Sequence, residues 1–141
     1  MQIAIGADHG GYELKEQLLR WFVENGFLAV DVGCDSSQSV DYPLYAKKVV
    51  DELVSGRADR GVLVCGTGIG MCIAANRNRF IRAANPFDVN TAVLSRQHND
   101  ANVLCLGGRV LSLERAVAIL DAWLTAEFSG GRHQRRVASL T

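Results

Sequence analysis

Residues 62–76, Val-Leu-Val-Cys-Gly-Thr-Gly-Ile-Gly-Met-Cys-Ile-Ala-Ala-Asn, constrain this chain more than any other stretch. The uninterrupted apolar run Val62-Leu-Val64 is what a strand buried on both faces carries. Gly66, Gly68 and Gly70 follow at alternate positions, and Met71, Cys72, Ile73, Ala74 and Ala75 read as a helix. Strand, glycine turn and helix in that order aim several backbone N–H groups one way, at a helix N-terminus. Glycine suits the turn because a Cβ would hold a ligand off the backbone. Cys65, the last strand residue, is aimed at the same spot. The stretch predicts an anion, or an oxyanion formed during a reaction, beside a thiol.

Two common glycine loops do not fit. A P-loop needs Lys-Ser/Thr after its last glycine, and here Met71 and Cys72 follow Gly70. The dinucleotide fingerprint is G-x-G-x-x-G, whereas this spacing is G-x-G-x-G. A nucleotide phosphate site stays open, but without its specific signals. With 141 residues, 48% of them hydrophobic, the chain can bury the core of one domain. No apolar run approaches the ~20 residues of a membrane span. The N-terminus enters a strand directly, without a basic n-region, which argues against export. Cys34, Cys65, Cys72 and Cys105 form no C-x-x-C pair, so reduced thiols in the cytoplasm fit better than a zinc or disulfide framework. The 15 basic and 15 acidic side chains cancel, which argues against a nucleic-acid surface. The balance is uneven, because residues 129–141 carry Arg132, Arg135 and Arg136 and no acid.

Taken in order, residues 2–6 predict a strand, followed by a polar turn containing Asp8 and His9. A helix is expected over residues 12–25, with Leu14, Leu18, Leu19, Phe22 and Val23 on one face and Gly26 at its end. Residues 27–32 form the second strand, and Pro43 opens a helix that closes at Gly56. Beyond the glycine turn come a weaker fourth strand over residues 81–84, a helix from Pro86 to about His98, and a fifth strand over residues 102–106. Ser112 caps the fifth helix, and Gly130-Gly131 ends regular structure. Five strands alternating with five helices predict a three-layer α/β/α sandwich on a parallel, Rossmann-like sheet. The residues richest in chemistry end strands one and three, and ligands of open parallel sheets sit where strand order reverses. That places the crevice between those two strands and gives the order 2-1-3-4-5. Residues 1–128 read as one domain and residues 129–141 as a basic tail.

Cys65 by residue type alone would be a small buried hydrophobe, but a helix N-terminus is a setting that favours thiolate. Cys34, Cys72 and Cys105 lack that setting and read as structural. His9 and His98 are each unremarkable alone, yet both are expected at the carboxyl edge of the sheet, where a site would gather them. Asp8 can cap the following helix and still act in a site. Asp31 reads as structural without a dinucleotide fingerprint. Arg132 and Arg136 are either a solvated tail or phosphate ligands.

Several segments together resemble the ribose-5-phosphate isomerase type B family, which includes galactose-6-phosphate isomerase subunits. They are Gly6-Ala-Asp-His-Gly10, Asp41-Tyr-Pro43, Cys65-Gly-Thr-Gly-Ile-Gly70, Ala74-Ala-Asn76, Ser95-Arg-Gln-His-Asn-Asp100, Asn102-Val-Leu104, and Gly130-Gly-Arg-His-Gln134 with Arg136. The resemblance implies interconversion of an aldose phosphate and its ketose phosphate through an enediolate, without metal or organic cofactor. Ribose 5-phosphate is the default substrate; allose 6-phosphate, galactose 6-phosphate and four-carbon sugar phosphates stay open. By position, Cys65 would be the base moving a proton between C2 and C1. A glutamate serves in one branch of the family, but Ile69, Met71 and Ile73 leave no acid in that neighbourhood. The N–H groups of Gly66, Thr67, Gly68, Ile69 and Gly70 would stabilise the enediolate, with Thr67 assisting proton movement. His98 would open the furanose ring. Asp8 and His9 would contact the substrate, with Asn99, Arg109, Arg132 and Arg136 completing its binding. A homodimer, or a dimer of dimers, with sites drawn from both chains is implied, and neither nucleic acid nor membrane. Asn85-Pro-Phe-Asp-Val89 matches no pattern assigned to the family. Two other readings share the fold: a non-catalytic phosphate- or nucleotide-binding module, and a subunit active only beside a paralogous partner.

Overall fold

β1 (Gln2–Ala7), β3 (Arg60–Cys65) and β5 (Val103–Gly107) are apolar nearly throughout, without the alternation of a half-exposed strand. Such strands need cover on both faces, and the computed structural model, which describes residues 1–140, supplies it. All five strands are parallel; β1 pairs on one side with β2 (Leu28–Asp31) and on the other with β3. Ile3, Ile5, Val62, Val64, Leu104 and Leu106 face one layer: α1 (Tyr12–Glu24), α4 (Val89–Gln97) and α5 (Leu113–Thr125). Ala4, Leu63, Cys65, Val103 and Cys105 face the other, formed by α2 (Tyr42–Val54) and α3 (Ile69–Ala75). The three-layer α/β/α architecture is therefore as expected. α1 and α3 leave for opposite faces, so strand order reverses between β1 and β3, the place where parallel sheets bind ligands.

The strand order is β2-β1-β3-β5-β4, which corrects the expected 2-1-3-4-5 in its last two positions. β5 has five fully buried residues and needs a partner on each side. β4 has shrunk to Ala83–Ala84, both half-buried, and suits only an edge. The expectation that consecutive strands lie side by side fails here.

Two boundaries also move. Pro86 does not open α4; Asp88 does, by a capping box in which its Oδ1 accepts from Thr91 N at 2.7 Å. Regular structure does not end at Gly131, because Arg132–Ala138 form a sixth helix, α6, with no buried residue. Thr141, the last residue of the predicted tail, lies outside the described residues. Ser112 caps α5 as expected, accepting from Arg115 N at 3.2 Å. No helix among the described residues is long and apolar enough to cross a membrane.

Candidate active site

Three loops leave the carboxyl edge of the sheet beside one another, after β1, β3 and β5. They touch through glycines: a Cβ on Gly10 would lie 3.0 Å from Gly66 N, and one on Gly108 would lie 2.7 Å from Gly10 O. Backbone bonds lock the arrangement, with Gly108 N donating to Cys65 O (2.8 Å) and Arg109 N to Gly66 O (3.0 Å). Arg109 thereby lays its guanidinium over both neighbouring loops, its Cζ 3.4 Å from the Cβ position of Gly10.

Cys65 sits at the centre of this junction, 5% exposed. Its Sγ accepts a hydrogen bond from Gly68 N at 3.1 Å. Gly68 is the N-cap of α3 with φ +83, a left-handed conformation that side chains other than glycine's resist. Ile69 N donates to Thr67 Oγ1 at 3.2 Å. Two of the turn's N–H groups are thus aimed at the thiol and the hydroxyl that the sequence singled out.

Asp8 is buried, and its Oδ1 accepts from Gly10 N (2.9 Å) and Gly11 N (3.2 Å), which shapes the loop after β1. His9 accepts from Val40 N at its Nδ1 (3.1 Å), which leaves Nε2 as the protonated nitrogen of the neutral ring. Asp31 holds the buried Lys15 at 2.8 Å and accepts from Gly33 N, a structural role. Tyr42 and Asn85 enter the site without having been assigned a role. The Tyr42 ring lies 2.9 Å from the Cβ position of Gly70, and the Asn85 amide packs on Gly68. Position was the available signal for Asn85, which directly follows β4, whereas Tyr42 opens α2 after a long loop.

His98, Asn99, Arg132 and Arg136 are not brought to this junction. α4 starts at the carboxyl edge after β4 and runs back against the strands, so His98, its C-cap, lies at the amino edge ahead of β5. This corrects the expected carboxyl-edge placement of His98. β3 alone separates the edges by roughly 16 Å, at ~3.3 Å per residue. The tail docks at the amino edge too: Ser129 N donates to Gln97 O (3.0 Å), and the His133 ring stacks on His98 with centroids 4.2 Å apart. Burial, the neighbouring His98 and then Arg132 and Arg136 push the His133 pKa below its ordinary value. Arg96 fixes the turn that carries His98 and Asn99, donating to Asp100 Oδ1 (2.8 Å) and Ala101 O (2.6 Å). A cleft of about 450 Å³ lined by Arg79, Arg82, Asn99, Val137 and Leu140 opens beside α6.

Cys72 and Cys105 perturb one another. A hydrogen bond with Cys105, outweighing burial, pulls the Cys72 pKa down to about 7, and Cys105 is pushed up by the same pairing and by burial. All four cysteines are free. Among the described residues no group of His, Cys, Asp or Glu is placed to hold a metal ion.

Residues 3–140 match the sequence profile of a family described as Ribose/Galactose Isomerase. The chain is 49% identical over 140 residues to the ribose-5-phosphate isomerase B of Escherichia coli, covering 99% of this chain and 94% of that one. The ribose-5-phosphate isomerase B of Clostridium thermocellum superposes with a TM-score of 0.98 at 48% identity, over 99% of this chain and 95% of that one. The Mycoplasma genitalium enzyme, solved with bound ribulose 5-phosphate, superposes with a TM-score of 0.93 at 40% identity, over 99% and 93% of the two chains.

Proposed function

The chain belongs to the ribose/galactose isomerase family, and on that premise we propose that it interconverts ribose 5-phosphate and ribulose 5-phosphate. It is an aldose–ketose sugar-phosphate isomerase. The observation that carries the chemistry is the buried Cys65 thiol, held against the Gly68 N–H where three loops meet. As thiolate, Cys65 removes the proton from C2 of the open-chain aldose. The electron pair moves into an enediolate, whose negative oxygen takes hydrogen bonds from the glycine turn, and the proton returns to C1. Thr67 Oγ1 stands in the turn to move a proton between the two oxygens. Asp8 and His9 border the sugar, and Arg109 reaches across the same loops toward the phosphate. His98 opens the ring, while Asn99, Arg132 and Arg136 complete the binding set.

The last four residues lie at the opposite edge from Cys65, so a complete site takes them from a second copy of the chain. A two-fold homodimer in which the carboxyl edge of one chain meets the amino edge of its partner supplies two such sites. The apolar side chains of Leu44, Ile69, Ile73 and Phe80 are more than half exposed and suit burial against that copy. Four free thiols fit a cytoplasmic setting.

The test is a panel of aldose phosphates with the purified protein alone: ribose 5-phosphate, allose 6-phosphate, galactose 6-phosphate and a four-carbon sugar phosphate. Ketose formation should be fastest with ribose 5-phosphate. Cys65→Ser should lower turnover by about three orders of magnitude, because an alcohol is a far weaker base at neutral pH. Near-normal turnover in that variant would dismiss Cys65 as the base.

A further inference from the structure

Asn85 stands in a segment that matches no pattern assigned to the family, and the structure gives it a place beside the proposed base. β4 pairs with β5 through Ala83↔Val103 and Ala84↔Leu104, and the next rung would set residue 85 against Cys105. The chain cannot continue along the sheet, because Pro86 has no N–H to give. Instead the Asn85 side chain turns in, and its Nδ2 donates to Cys105 O at 2.8 Å. A carboxamide thus extends the ladder where the backbone leaves it.

That bond fixes the amide directly against the glycine turn. A Cβ on Gly68 would lie 2.5 Å from Asn85 Nδ2 and 3.2 Å from its Cγ, so the amide occupies the space that Gly68 leaves empty. Gly68 is the one glycine of the turn with a positive φ, +83, and the one whose N–H points at Cys65 Sγ, at 3.1 Å. Asn85 is itself held from behind. Pro86 is buried, Asp88 and Thr91 form the capping box of α4, and Arg115 Nη2 donates to Phe87 O at 2.8 Å.

We propose that Asn85 is a positioning residue for the base, fixing Gly68 so that its N–H stays on the Cys65 sulfur; this rests on the reading of Cys65 as base. An N–H aimed at sulfur favours the anionic form of a thiol. Loss of the amide would let Gly68 relax and withdraw part of that bond. The substrate still binds, since Asn85 acts through the turn. The effect therefore falls on kcat and on thiol reactivity rather than on KM.

The experiment uses the full chain and two readouts. One is kcat and KM with ribose 5-phosphate. The other is the pH dependence of Cys65 alkylation by iodoacetamide, scored by fragment ions that separate Cys65 from Cys72 on their shared tryptic peptide. In Asn85→Ala, kcat should fall roughly tenfold with KM within about twofold. The alkylation profile should move to higher pH by about half a unit, the worth of weakening one neutral hydrogen bond. Asn85→Asp keeps the shape, loses the donor to Cys105 O and adds a negative charge, so its profile should move further. Gly68→Ala should cost less in an Asn85→Ala background than alone, because the nearest clash of the new Cβ, at 2.5 Å, is then gone. An unmoved kcat and alkylation profile in Asn85→Ala overturns the proposal. Should that variant not fold, an unmoved profile in Asn85→Asp does the same. A wild-type protein without isomerase activity would instead sink the functional reading, while the alkylation profiles would still decide whether Asn85 governs Cys65.

Discussion

Consider a Cys65→Ala chain co-expressed with an Arg136→Ala chain. Cys65 ends β3 at the carboxyl edge, and Arg136 belongs to α6, docked at the amino edge through Ser129 and His133. The two edges stand roughly 16 Å apart along β3, so one chain does not present both residues to one substrate. In the proposed dimer each site takes Cys65 from one chain and Arg136 from the other. A mixed dimer then holds one intact site and one doubly damaged site. Random pairing makes half of the dimers mixed, so about a quarter of all sites should be active. Each parent should fall below that level. Cys65→Ala removes the proposed base, and Arg136→Ala the proposed charge-assisted bond to phosphate, worth roughly tenfold to a hundredfold when assayed below KM. The assay is turnover of ribose 5-phosphate per chain, with mixed dimers counted by native mass spectrometry. A mixture no more active than its parents, with mixed dimers present, would refute the two-chain site for this pair.

Three further outcomes are expected. His98→Asn should be impaired on ribose 5-phosphate, which is mainly cyclic, and should retain most activity on a four-carbon aldose phosphate, which cannot close a furanose through its esterified oxygen; equal losses would assign His98 another role. Asp31→Ala should lower stability by about 1–2 kcal/mol, discounted for Asp31's partial exposure, since it takes the nearer carboxylate (2.8 Å) from the buried Lys15 ammonium and leaves it only Glu16 at 3.0 Å. Lys15→Met, which removes the charge along with its pair, should melt higher than Asp31→Ala; the reverse order in thermal denaturation would contradict the pairing argument. Because folding lowers the His133 pKa, the unfolded tail binds a proton more readily, so the tail's stability is fully present above the ordinary histidine range and declines as pH falls through it toward the lower folded value. His98 facing it from α4, and Arg132 and Arg136 on its own helix, are the charges concerned; protection factors of residues 132–138 should drop between about pH 7 and 5.5 in wild type and stay level in His133→Phe.

Local chemistry was legible in the sequence wherever one residue type has one physical job. The run Val62-Leu-Val64 could only be a doubly buried strand, and the glycines after Cys65 had to free backbone N–H groups at a turn. Gly68 supplies the left-handed φ, and Ser112 the cap. What stayed hidden depended on competition between distant segments. β4 and β5 both follow β3 in sequence, and only burial decides which flanks it: Leu104, Cys105 and Leu106 are wholly buried, while Ala83 and Ala84 are not. Tyr42 and Asn85 were given no role from the sequence, because what brings them to the site is packing against two glycines. Their roles come from the empty space at Gly70 and Gly68, which a sequence does not display.

His98 could have been placed at the amino edge without coordinates, by a rule of parallel sheets. In a parallel sheet every strand ends at the carboxyl edge, and every connecting helix ends at the amino edge. Cys65 follows a strand and His98 follows a helix, so within one chain they belong to opposite edges whatever the strand order. The same holds for Asn99, and the tail inherits it by following α5. A family reading that needs Cys65 and His98 on one substrate therefore demands a second chain, and demands it from secondary structure alone. The carboxyl edge of the first chain must meet the amino edge of the second, and a two-fold axis makes the converse true as well. An isomerase built this way has no complete site as a monomer. Its specific activity should fall on dilution below the dimer dissociation constant, in step with the dimer fraction measured by sedimentation; a monomer retaining full turnover would show that one chain closes the gap between its own edges.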